Sequence, residues 1–78
     1  MTRVVVTVMP REGVLDPQGQ AVQGALGRLG FAGIHDVRLG RRIELELDDA
    51  DPEATATEMC ERLLANALIE DFTVTVED

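Results

Sequence analysis

Arg3-Val4-Val5-Val6-Thr7-Val8-Met9-Pro10, followed after a short loop by Asp16-Pro17, sets out a strand, a stop and a helix start near the beginning of the chain. The β-branched residues are stiff at χ1 and suit the pleated backbone, and the run is too short for a buried helix. Alternation puts Val4, Val6 and Val8 on one face and Val5, Thr7 and Met9 on the other. Both faces are largely apolar, the pattern of a central strand covered on both sides. Pro10 ends the run. Asp16 is a preferred N-cap, and Pro17 takes the first helical position, where a missing N–H is not needed. Ala21, Val22, Ala25, Leu26 and Leu29 then form one apolar stripe of about 140°. Gln20, Gln23, Gly24 and Gly27 lie opposite, and Gly30 is the natural stop.

Moving outward, Asp51-Pro52 repeats the helix start. Ala56, Met59, Cys60, Leu63, Leu64 and Ala67 form the second stripe, and Asn66 is the expected stop. Asp49, Asp51 and Glu53 sit at the positive end of this helix, where the dipole favours them. Glu58 and Arg62 are an i, i+4 pair. Between the helices, 34–39 and 42–48 read as two strands. Ile43, Leu45 and Leu47 alternate with Glu44, Glu46 and Asp48, so this strand is half-buried with an acidic outer face. The Gly40-Arg41 turn leaves two registers open. A two-residue turn pairs Leu39 with Arg42, and a three-residue turn pairs Leu39 with Ile43 and Val37 with Leu45. The second is preferred, because a one-residue slip inverts every side chain. Phe72, Val74 and Val76, alternating with Thr73 and Thr75, make the last strand.

The resulting order, β-α-β-β-α-β, predicts a ferredoxin-like α+β fold: an antiparallel four-stranded sheet with two helices on one face, in a single domain spanning 1–78. The other sheet face has no cover within the chain. Such a face, apolar or mixed, is a natural dimer surface on a small domain.

Composition excludes many functions. The chain has 78 residues and a net charge of −8, from 15 acidic residues against 7 basic ones, all of them Arg. It has one Cys, one His, two Phe and no Trp or Tyr. One Cys cannot make an internal disulfide, and one Cys with one His cannot build the usual four-ligand structural zinc site. Without Lys there is neither a Walker-type phosphate loop nor a Schiff base. An acidic chain poor in rings lacks the basic patch and stacking platform of a nucleic-acid binder. No apolar run approaches the ~18 residues of a membrane span, so no membrane partner is expected. The lone Cys and the absence of a signal-peptide pattern point to the cytoplasm. A fold of this size buries only roughly 60% of its unfolded surface, so with no staple in view oligomerisation or docking is the expected support.

The candidate chemical groups mostly have structural readings. Cys60 lies within the second stripe and reads as a small buried hydrophobe rather than a nucleophile. His35 has only Asp36 as a polar neighbour, which makes no catalytic triad. Asp48, Asp49, Asp51 and Glu53 lack the spacing of a calcium loop and read as a solvated loop and helix cap. Gly24 and Gly27, in mid-helix, read either as sites of close backbone approach or as simple helix weakness. Arg38, Arg41 and Arg42 read either as a solvated turn or as a contact to carboxylates of a partner. No catalytic, cofactor-binding or metal-binding residue is assigned.

Several blocks carry a resemblance. Gly13-Val14-Leu15-Asp16-Pro17-Gln18-Gly19, then Ala21-Val22 and Ala25-Leu26 leading to Leu29-Gly30, resembles the small PurS-type subunit of phosphoribosylformylglycinamidine synthase. Val37-Arg38, Gly40-Arg41 and Ile43-Glu44-Leu45 are similar to that family's hairpin. Met59-Cys60, Leu63-Leu64-Ala65-Asn66 and Ile69-Glu70-Asp71-Phe72 are similar to its C-terminal block. The chain departs from the family pattern at Ala67, where Pro is common, and at Arg41, where Lys is usual.

The resemblance implies a non-catalytic subunit in de novo purine biosynthesis. Its complex uses ATP and glutamine-derived ammonia to convert formylglycinamide ribonucleotide to the amidine. ATP and Mg are then expected on the large synthetase subunit, with a glutaminase subunit releasing ammonia. The small subunit is expected to bridge the two, support ammonia transfer and form a homodimer or tetramer. Gly13, Leu15, Asp16, Gln18, Arg38 and Arg41 are the expected partner-contacting residues. The alternative reading is a ferredoxin-like module that binds a regulatory small molecule between paired sheets.

Overall fold

Each of the two Asp-Pro pairs starts a helix. The computed structural model describes residues 1–13 and 16–77. Its elements are β1 (Thr2–Pro10), α1 (Pro17–Arg28), β2 (Arg41–Leu47), α2 (Pro52–Met59) and β3 (Glu70–Glu77). α2 runs on through a wider turn, Cys60–Leu64. The Asp16 carboxylate accepts from the Gly19 N–H at 2.9 Å, and that of Asp51 accepts from the Ala54 N–H at 3.2 Å. Asp49 is committed to the same end of α2, accepting from the Asp51 N–H at 2.9 Å and the Thr55 hydroxyl at 2.8 Å. These bonds satisfy donors that a helix N-terminus leaves over. At the other end of α1, Gly30 takes a φ of +96°. It donates to the Gly27 carbonyl while Phe31 donates to that of Leu26, a glycine-closed helix end.

The sheet is antiparallel with order β2-β1-β3, so β1 is central, as its pattern predicts. Val4 lies between Leu45 and Val76, and Val6 between Ile43 and Val74. Val4, Val6, Val8, Ala56 and Cys60 are fully buried and form the core. α2 packs over β1 and β3. Its buried ridge is Ala56 and Cys60, with Leu64 half-buried, a spacing of four residues. In a 3.6-residue helix that spacing drifts forward by about 40° per step. The wider turn, closed by Ala65 N–H on the Cys60 carbonyl, rotates less per residue and takes the drift back. The expected stripe is therefore narrower than predicted, and Leu63 stands 82% exposed. The helix stops at Leu64, before Asn66.

Two expectations are corrected. Residues 34–39 form no strand, so the sheet has three strands rather than four, and neither hairpin register exists. The half-buried positions there, Ile34 and Val37, are three apart, a spacing that cannot keep to one strand face. The segment's polar groups bond to α1 instead: Gln23 Nε2 donates to the Ile34 carbonyl at 3.2 Å, and Leu39 N–H donates to Asp16 Oδ2 at 2.8 Å. Nor do both helices cover the sheet. α1 and the returning segment form an arm beyond the end of the strands. A nine-residue strand is about 30 Å long and a twelve-residue helix about 18 Å, and together they account for the 50 Å length of the molecule. The radius of gyration is 15.7 Å, against about 11.5 Å for a compact chain of this length.

The far face of the sheet is polar. Arg3 pairs with Glu44 at 2.8 Å, Arg42 pairs with Glu44 at 3.3 Å, and Thr7 and Thr73 face each other exposed. Val5, buried between Glu44 and Thr75, and Met9, half-buried opposite Asp71, are its apolar exceptions. Val6→Ala should therefore cost about 2–3 kcal/mol in urea denaturation, and Thr7→Ala on the opposite face less than about 1 kcal/mol.

Candidate functional site

The base of the arm is the most elaborated surface. Here the end of β1, the start of α1 and the returning segment meet, and Asp16 joins them. Its carboxylate accepts from Leu39 N–H with one oxygen and from Gly19 N–H with the other. Those two backbone bonds, Leu39 first, hold it below the usual carboxylate range, and the Arg38 guanidinium adds to the effect. Arg38 in turn donates to the Pro10 carbonyl. Gly19 is the buried residue of α1. A Cβ at this position would strike Asp16 Oδ2 and the Val37 carbonyl, so the helix approaches the returning chain as closely as it does only through glycine.

A cleft of about 300 Å³ opens at this junction. It is lined by three acids (Glu12, Asp16, Asp36), two arginines (Arg11, Arg38) and Gly13, Gln20 and Val37. Mixed charge around a polar opening suits the side chains or backbone of a partner protein better than an apolar ligand.

Of the expected contact residues, the structure brings Gly13, Asp16 and Arg38 to this cleft. Gln18 lies nearby, exposed on the first turn of α1. Leu15 falls outside the described residues. Arg41 is elsewhere: it donates to the Leu64 carbonyl at 3.0 Å and to both oxygens of Glu70 at 3.0 and 3.1 Å. Glu70 also accepts from Asn66 N–H at 2.7 Å. That backbone bond and then Arg41 hold its carboxylate low. Arg11 is the residue that sequence reasoning missed. Its side chain donates to the Ala67 carbonyl at 2.8 Å and pairs with Asp71 at 2.8 Å, tying the cleft to the turn before β3. A lone Arg after the strand-ending Pro10 was the available signal.

The other chemical candidates are set apart. Cys60 is fully buried, and burial, with Glu61 beside it, pushes its thiol up, the reverse of what a nucleophile needs. His35 is exposed on the arm. Among the described residues no group of three or more His, Cys, Asp or Glu is arranged to hold a metal ion. Among those residues, too, no helix is long and apolar enough to cross a membrane.

Among the described residues nothing lies within 4 Å of a Cβ built at Gly27, so the close-approach reading of that glycine finds no backbone there. Gly19→Ala should destabilise by about 1–3 kcal/mol, whereas Gly27→Ala should stabilise by up to about 1 kcal/mol, both read by urea denaturation. The lowered pKa values of Asp16 and Glu70 stabilise the fold in full above the ordinary carboxylate pKa. That stabilisation is lost as pH falls through the lowered folded-state values. Thermal melts should hold steady down to about pH 4.5 and decline below it, with a smaller decline for Asp16→Asn and Glu70→Gln.

Comparison with known proteins places this architecture. Residues 3–78 match the family model PurS, phosphoribosylformylglycinamidine (FGAM) synthase. The chain is 57% identical over 77 residues to phosphoribosylformylglycinamidine synthase subunit PurS of Mycobacterium leprae, covering 99% of this chain and 98% of that one. It is 46% identical over 80 residues to the Bacillus subtilis subunit, covering 100% of this chain and 95% of that one. Among solved structures, B. subtilis PurS superposes with a TM-score of 0.92 at 45% identity, with both chains fully covered. A chain of PurLQS from Thermotoga maritima superposes with a TM-score of 0.81 at 26% identity, covering 97% of this chain and 96% of that one. The match extends over nearly the whole chain, and the chain belongs to the PurS family, a subunit of phosphoribosylformylglycinamidine synthase.

Proposed function

We propose that this chain acts as a non-catalytic bridge between the glutaminase and synthetase subunits of FGAM synthase in purine biosynthesis, supporting the passage of ammonia from one to the other. The observation that carries this reading is the family match over residues 3–78. It embraces the sheet, both helices and the arm. The T. maritima relative, seen within PurLQS, supports assembly with PurL and PurQ counterparts. The same match favours this reading over a regulatory small-molecule module.

In this reading ATP and Mg belong to the large synthetase subunit, and the complex works in the cytoplasm. The polar cleft at the arm base, with Gly13, Asp16 and Arg38 on its wall, is a docking surface for one of the larger subunits, and Gln18 flanks it. Asp16 and Arg38 are already held by bonds within the chain, so they present a fixed surface at little cost in conformational entropy. Arg41 contributes indirectly, by holding the end of α2 to β3 through Glu70. The protein also associates with itself, as a homodimer or tetramer.

Reconstitution tests this. Glutamine-dependent FGAM formation by the two larger subunits should depend on added chain. Ammonia supplied directly should support the reaction without it. Equal glutamine-dependent rates with and without the chain would overturn the reading.

A further inference from the structure

Three acids and two arginines line the arm-base cleft, yet the charges there do not cancel, because both arginines are engaged elsewhere. Arg38 donates to the Pro10 carbonyl and lies beside the Asp16 carboxylate. Arg11 donates through Nε and Nη2 to the Ala67 carbonyl, at 3.1 and 2.8 Å, and pairs through Nη1 with Asp71, outside the cleft, at 2.8 Å. Asp16 has given one oxygen to Gly19 N–H and the other to Leu39 N–H. Glu12 and Asp36 remain, both exposed. Among the described residues no arginine of the chain pairs with either. Arg3 and Arg42 go to Glu44, Arg41 to Glu70 and Arg62 to Glu58, and Arg28 stands in the last turn of α1.

We infer, on the docking reading above, that the cleft takes a basic side chain, arginine or lysine, from the larger subunit that docks there, with Glu12 and Asp36 as its counter-charges. A cleft of about 300 Å³ admits such a group. Its apolar stem can lie along Val37, the one large apolar side chain on the wall, while its head meets the carboxylates and Gln20. An acidic side chain entering instead would have to draw Arg11 off Ala67 and Asp71, or Arg38 off Pro10. A bare metal ion is not favoured, since no group of three or more ligating side chains is arranged for one among the described residues. The chain as a whole carries −8, so a basic partner surface is also drawn toward it at long range.

Assembly with the two larger subunits, followed by the fluorescence anisotropy of an N-terminally labelled chain, tests the inference. Glu12→Gln with Asp36→Asn should raise the half-saturating concentration at least tenfold at low salt, and Glu12→Lys with Asp36→Lys should raise it further. Glu58→Gln with Glu61→Gln removes the same two charges from the end of α2 and should change it less than twofold. Added salt should weaken assembly of the unaltered chain more steeply than that of the neutralised variant. Circular dichroism and light scattering should show the same fold and oligomeric state throughout. Gln20→Trp, which fills the cleft without altering charge, separates this inference from the reading beneath it. Weakening by Gln20→Trp with no effect of the charge variants would overturn the basic side chain and leave the docking surface standing. Equal effects of the cleft and α2 charge variants, or tighter assembly of the lysine variant, would also overturn it. No effect of any cleft variant, or no assembly at all, would overturn both.

Discussion

Burial in this protein is concentrated on one face of β1, where Val4, Val6 and Val8 are closed off by Ala56 and Cys60 of a single helix. Fully burying a valine contributes about 1.5–3 kcal/mol, and few residues here contribute at that level. The constraint shapes everything else. β1 must be central, because only a strand with neighbours on both sides can be shut from solvent so completely. α2 must keep small residues on its buried ridge to approach the sheet closely. It must also hold that ridge in line, which the widened turn at Cys60–Leu64 does. Ile43, Leu45 and Leu47 of β2 close the margin of this core half-buried, and the arm lies outside it.

Where a single pattern governs a segment, the sequence was sufficient. β1, both capped helix starts, β2 and β3 are legible because alternation, β-branching and Asp-Pro each have one structural answer. Residues 34–39 were misread because Ile34, Val37 and Leu39 can be fitted to a strand if the spacing of the first two is overlooked. The placement of α1 was misread for a deeper reason. A stripe such as Ala21, Val22, Ala25, Leu26 and Leu29 announces that a helix will be covered, but not whether its own chain does the covering.

The arm base was partly legible. Asp16 could be read as a cap, but its second bond, to Leu39, joins residues 23 positions apart, and no local pattern encodes that. Arg38 was legible as a charge near a turn, yet its acceptor is the Pro10 carbonyl. Arg41 looked free to meet a partner because its acceptors, Glu70 and the Leu64 carbonyl, lie in the other half of the chain. Side chains at such junctions are chosen by topology, and topology is what a one-dimensional reading sees last.

The sheet order has a further consequence, for how the chain avoids clumping. No two strands of this sheet form a hairpin: the nearest paired residues, Val8 and Arg41, are 33 positions apart. Pairings of such long range close slowly, and Val4-Val5-Val6-Thr7-Val8 is the kind of uncharged, β-branched run that stacks into fibrils when left open. The finished fold puts this run in the middle, with both edges paired. It leaves at the rims Arg41-Arg42-Ile43-Glu44-Leu45-Glu46 and Glu70-Asp71-Phe72-Thr73. Charges on those edge strands discourage further strands from adding, so the stretch that makes the core is also the one that the native state keeps out of reach.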